Sequence, residues 1–180
     1  MGTKITTYKS DSERGRQKVE LAPGLFVPGE IPVAHRDSHG FDVEAIVIPE
    51  RGRLVVEEIT VRRRPGGPPV TAGTLRRVTV GPLVKGALAQ ARHNLPSGRS
   101  GRAVAWGLLD VEERDRLKEA GPVPETLEWV ALLYRVAVAL AEPPVKSIQG
   151  VFGTSQRTAF NWVAKARALE LLEAEEAAIE

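Results

Sequence analysis

Apolar and polar positions divide this chain into a front half that alternates and a back half that repeats at helical spacing. Among the prolines and glycines of residues 19–49, the short apolar pieces Leu25-Phe26-Val27 and Ile31-Pro32-Val33 predict short strands and turns. Two β-branched runs follow, Phe41 to Ile48 and Leu54 to Val61, and Pro49-Glu50-Arg51-Gly52-Arg53 between them reads as a hairpin loop. Beyond the loop Arg64-Pro65-Gly66-Gly67-Pro68-Pro69, Leu75 to Val80 predicts a short strand or turn. Pro82 then opens a helix through about Arg92. Residues 1–18 are polar, charged and aperiodic, the pattern of a mobile arm.

The run Pro96-Ser97-Gly98-Arg99-Ser100-Gly101-Arg102 has linker composition. Residues 96–106 are therefore expected to join a β-led domain over 19–95 to a helical domain over 107–180. In that second half an amphipathic, highly charged helix runs from Leu108 to about Ala120 and ends at Gly121-Pro122. Another restarts at Pro124-Glu125-Thr126 and continues to about Ala141. From Trp129 to Ala141 it is apolar nearly all round, with Arg135 its sole charge, so both sides need cover. The following motif can supply one side; the β-led domain or a second subunit must supply the other. The expected class is α+β, a β-led N-terminal domain followed by a helical C-terminal domain.

The motif itself is a helix-turn-helix. Pro143-Pro144 stop the preceding helix, Val145, Ile148 and Phe152 share one apolar face, and Gly153 suits a left-handed turn residue. Thr154 or Ser155 can cap the next helix, where Ala159, Trp162, Val163, Ala166 and Leu169 recur on one side. Arg157, Phe160, Asn161, Ala164 and Ala168 then face outward, giving the apolar back and readable front that a recognition helix needs. Trp129 and Trp162 lie inside apolar helical patterns and read as core anchors.

Composition adds less than distribution. At 180 residues, with 42% hydrophobic and 27% charged, the chain has ordinary globular composition. It has no cysteine, which removes disulfides and thiolate metal sites. The net charge of +2 is weak evidence for an anionic partner, but from Pro143 to Leu169 the only charges are Lys146, Arg157, Lys165 and Arg167. The acids Glu170, Glu173, Glu175, Glu176 and Glu180 crowd the tail. No apolar run is long enough for a bilayer and no apolar signal core opens the chain, so a cytoplasmic location and no membrane partner are expected.

Leu127 to Ala137, running into Pro143-Pro144-Val145-Lys146 and then Thr158 to Arg167, resembles the C-terminal helix-turn-helix of small, mostly uncharacterised actinobacterial and actinophage proteins. The resemblance covers roughly residues 125–172 and implies DNA binding, not a pathway. Gln149-Gly150 and Phe160-Asn161 depart from it: such motifs carry a small apolar residue at the first place, and a small residue and an arginine at the second. A different site preference follows.

On the front face, Arg157 can donate to guanine O6 and N7, Asn161 can pair with adenine, and Gln156 can act similarly near the helix start. Phe160 can touch a thymine methyl or pack against another helix or subunit. Lys146, Ser155, Thr158, Lys165 and Arg167 read as phosphate contacts that set register. Elsewhere, His35-Arg36-Asp37-Ser38-His39 superficially offers metal ligands or a kinase-like loop, but solvated loop polars are the simpler reading. Arg62-Arg63-Arg64 is either a solvated hairpin tip or a backbone contact, and Asp110, Glu112, Glu113 and Asp115 form an exposed charged face.

The function expected is sequence-specific binding of double-stranded DNA for transcription regulation, by a homodimer suited to two half-sites, with no cofactor, metal or enzymatic activity. The alternatives are an accessory DNA-binding factor of a phage or mobile element, and a protein-interaction module whose motif does not read DNA. The β-led domain is left with an unknown protein or ligand.

Overall fold

A computed structural model describes residues 5–38, 40–102 and 109–173. Two four-stranded antiparallel sheets occupy the front half and helices the back half, an α+β arrangement with a β-led N-terminus. The first sheet has the order β1 (Ile5–Thr7), β4 (Ile31–Ser38), β5 (Phe41–Glu50), β6 (Arg53–Arg63). The second has β2 (Lys18–Ala22), β3 (Leu25–Pro28), β7 (Arg92–Asn94), β8 (Ser100–Arg102).

Alternation in β5 buries Phe41, Val43, Ala45 and Val47 and leaves the residues between them facing outward. Glu50 pairs with Arg53, so the β5–β6 hairpin closes over two residues, both left-handed: Arg51 at φ 47 and Gly52 at φ 75. That is the turn whose twist matches the strands it joins. A bulge opposite Ile46 and Val47 leaves Glu57 as the extra residue of β6. There it meets Arg14 of α1 (Glu13–Arg16), which also reaches Glu30. The inner face of this sheet is covered by α3 (Val80–Ala87), which buries Leu83, Val84 and Ala87 and is followed by a short 3-10 turn, Leu88–Gln90.

Three segments depart from the sequence expectation. Residues 5–18, expected as a mobile arm, carry β1, α1 and the start of β2. Ile5 pairs with His35 and Thr7 with Val33, while Ser12 donates to Glu30 at 2.9 Å. Ala72–Arg77 forms a helix, α2, where a strand or turn was expected, because Thr71 and Thr74 satisfy each other's backbone groups in a capping box. Residues 96–102, expected to begin a linker, fold back instead: Leu95 donates to Arg99 O at 2.7 Å and β8 pairs with β7. The linker's remaining residues, 103–106, and the acidic tail from 174 lie outside the described residues.

The back half holds α4 (Val111–Ala120), α5 (Pro124–Ala139), α6 (Pro144–Phe152) and α7 (Gln156–Ala168). Asp110 caps α4 and Pro124 opens α5. The all-round apolar helix is buried all round: α4, α6 and α7 touch α5, and β3 and β6 touch it too. Leu133 and Val136 are 6% and 9% exposed. The face that suggested a second subunit is thus covered within the chain, and a single hydrophobic cluster extends from Leu21 to Leu172 through both halves. No described helix is long and apolar enough to cross a membrane.

Two features mark the seam. His93 of β7 is buried with its ring 5.1 Å from that of Trp129, and its Nδ1 has no hydrogen-bond partner among the described residues. Alongside, Arg99 reaches Glu113 (2.6 Å) and Glu125 (2.5 Å), and Arg116 reaches the same two carboxylates (2.9 and 2.7 Å). The Arg116 and Arg99 guanidiniums hold the Glu113 carboxyl at about 2, so this member of the charged helix face is perturbed, contrary to its reading as an ordinary solvated acid. Burial pushes the His93 imidazole below its usual 6.5.

Both shifts are depressions, so both contributions are complete at neutral pH and lost on acidification. Stability should fall first as pH drops below 6.5, where the unfolded imidazole takes a proton that the folded one resists. It should fall again from 4.5 toward about 2 as Glu113 protonates. Denaturant midpoints measured against pH check this: His93→Leu should abolish the first step, and Glu113→Gln should diminish the second and cost about 1 kcal/mol at neutral pH.

Candidate nucleic-acid interface

The first helix of the motif, α6, begins at a proline, whose missing N–H costs nothing there, and buries Ile148 and Phe152. It ends at Gly153, φ 56 and ψ 40, the left-handed geometry that glycine adopts without a Cβ clash. The Gly153 carbonyl accepts a hydrogen bond from Lys118 Nζ of α4 at 3.1 Å, which pins the turn from outside the motif. Ser155 is the cap of α7: its Oγ accepts from the Thr158 N–H at 3.1 Å and pairs with the Thr158 hydroxyl at 2.8 Å.

Behind the turn, Ala159, Trp162, Val163 and Ala166 are buried, and Trp162 meets Phe152 edge-on with centroids 5.1 Å apart. Trp129 and Trp162 are both core residues. Leu169, expected on the same inward face, is exposed, because α7 stops at Ala168 and Glu170 turns the chain at φ 57. Leu172 is buried in its place.

The opposite face presents Gln156, Arg157, Phe160, Asn161 and Lys165 to solvent, with Lys146 exposed on α6. Phe160 is 61% exposed and belongs to no hydrophobic core among the described residues. Among the described residues no carboxylate pairs with Lys146, Arg157 or Lys165, whereas the arginines of the seam are all engaged. Gln156, Arg157, Phe160, Asn161 and Lys165 thus share the solvent side of α7, with two cations among them, and Lys146 is exposed on the helix before it. Three residues expected on phosphates have internal work as well: Ser155 and Thr158 share the cap, and Arg167 lies over the Tyr134 ring and donates to its hydroxyl at 3.1 Å. Lys118 was not singled out by the sequence, since nothing in its helical pattern reveals a carbonyl contributed from another helix.

The other candidate residues are occupied or dispersed. Arg62 and Arg64 approach Glu44 (3.7 Å) and Asp42 (3.9 Å), and Arg63 Nε donates to Gly67 O. His35 stands in β4, while His39 lies outside the described residues. The described residues contain no group of three His, Asp or Glu that could hold a metal ion. The outer face of the first sheet forms a shallow hollow lined by Tyr8, Arg36, Glu44, Thr60 and Arg62, in which Arg36 bridges to Glu44 at 2.8 Å. No family model, curated protein or solved structure matches this chain.

Because Gly153 is left-handed, Gly153→Ala should destabilise the fold by roughly 1–2 kcal/mol and Gly153→Asn by less. Urea denaturation of the two variants decides it; equal costs would mean that the turn is not held in that geometry.

Proposed function

We propose that this chain is a sequence-specific DNA-binding protein, a cytoplasmic transcription regulator that lays α7 in the major groove of double-stranded DNA. One observation carries the reading: a turn fixed by Gly153, Lys118 and Ser155 presents Gln156, Arg157, Phe160 and Asn161 together on a helix face whose cations pair with no carboxylate among the described residues. Arg157 has the two parallel donors that suit guanine O6 and N7, and Asn161 the donor and acceptor that suit adenine N6 and N7. Lys146 and Lys165 flank them as phosphate contacts, joined by the Ser155 and Thr158 hydroxyls and by Arg167 where its hold on Tyr134 leaves donors free. A homodimer would present two such helices to two half-sites. Phe160 favours a second reading, a surface that meets a protein, because a ring this exposed is unusual on a face that reads only base edges.

Arg157→Ala and Asn161→Ala should each weaken specific binding by roughly 1–3 kcal/mol and barely change non-specific binding. Lys165→Ala should weaken every DNA about equally and lower the salt slope by about one unit. Titrations of selected and scrambled duplexes at several salt concentrations separate these outcomes. An affinity that is absent, or flat in salt, would leave the protein-contact reading of Phe160.

A further inference from the structure

Strand β6 is an edge: in the order β1-β4-β5-β6 it pairs only with β5. It is also eleven residues long, and its second half emerges from the body of the molecule, with Glu57, Glu58, Ile59, Arg62 and Arg63 exposed. Among the described residues no backbone hydrogen bond closes its outer side. A long open edge is a template for another strand, and proteins that do not use one usually blunt it. Here the strand's own sequence is complementary to itself.

We infer that β6 pairs antiparallel with β6 of a second copy about a two-fold axis at Thr60, joining the two first sheets into one continuous sheet. In that register Glu58 stands opposite Arg62 of the second copy, and Ile59 opposite its Val61. Each pair occurs twice, as an isologous interface requires. The faces agree. Glu58, Thr60 and Arg62 line the outer hollow of the sheet, whereas Val61 packs toward the core and Ile59, on the same side, is left 37% exposed at the rim. The pairing would place opposite charges across the outer face and cover Ile59 on the inner one.

No neighbouring register does as well. An axis at Glu58 sets that carboxylate against its own copy, and an axis at Ile59 sets Glu58 against Thr60. An axis at Val61 sets Arg62 against Thr60. Arg62 is free to turn outward, since its side chain is 68% exposed and its contact with Glu44 is a loose 3.7 Å. This interface differs from the α5 face, which is buried within the chain. It does not depend on DNA binding.

The test is the sedimentation of the full chain without DNA, so that its failure is separate from any failure to bind DNA. The wild type should sediment at twice the mass of one chain in the micromolar range. Glu58→Arg should weaken association at least about tenfold by turning both charge pairs repulsive, Ile59→Lys should do the same, and the combined E58R/R62E exchange should restore it. Thermal melts of the dilute variants show that each remains folded. A wild type that stays monomeric, an association indifferent to Glu58→Arg and Ile59→Lys, or an exchange variant that stays weakened while folded would each overturn the proposal.

Discussion

From Trp129 to Ala139 helix α5 has almost no polar side to give to water, and the rest of the structure is arranged around that constraint. Glu125 and Glu128 stand near the start of this sixteen-residue helix, but from Trp129 on Arg135 is its one charge, and no single layer of neighbours can enclose that stretch. The chain surrounds it with α4, α6 and α7 and with strands β3 and β6. Arg135 escapes burial as an unpaired charge by donating to Leu171 O at 2.7 Å beyond the end of α7. The helical half is thereby not a separate body on a tether. Its central helix is part of the core of the sheets.

Charge is distributed with the same division. Where the halves meet, four residues, Arg99, Glu113, Arg116 and Glu125, neutralise one another, and Lys85 of α3 reaches Glu142 at 2.6 Å just before α6 begins. On the open sheet, Arg36, Arg62 and Arg64 answer Asp42 and Glu44. Among the described residues no carboxylate pairs with Lys146, Arg157 or Lys165, so an anion there would have no such partner to compete with. Individually exposed pairs contribute little stability. Their arrangement matters more for which charges stay available than for how firmly the chain folds.

The features legible in the sequence are those whose cause is local. Alternation from Phe41 to Ile48 gives a strand, two prolines and Gly153 frame two helices, and the spacing of Ala159, Trp162, Val163 and Ala166 separates the buried from the outward face. Illegible features depend on distant partners. Strand β1 is three residues that mean nothing until His35 and Val33 lie beside them, and β8 reads as a basic linker because the strand that it pairs with, β7, takes its own place only against β3 and α5. Helix α2 did have a local sign, the Thr71 and Thr74 pair, outweighed by the β-branched residues that follow it. At the site, spacing sorted the faces of α7 but could not show that Arg167 rests on Tyr134 or that Lys118 holds the turn.

Helix α6 is held at both ends by lysines from outside the motif, Lys85 through Glu142 at its entry and Lys118 through Gly153 at its exit. These two contacts tie the ends of α6 to α3 and α4. If α7 reads DNA as proposed, the distance between the two copies of α7 on one duplex would then be set largely by the protein body. Each base pair inserted between half-sites turns one of them by about 34° around the DNA axis, since a turn of the duplex takes roughly 10.5 base pairs. Such a body would tolerate little of that, and the spacing of the half-sites would become part of what is recognised.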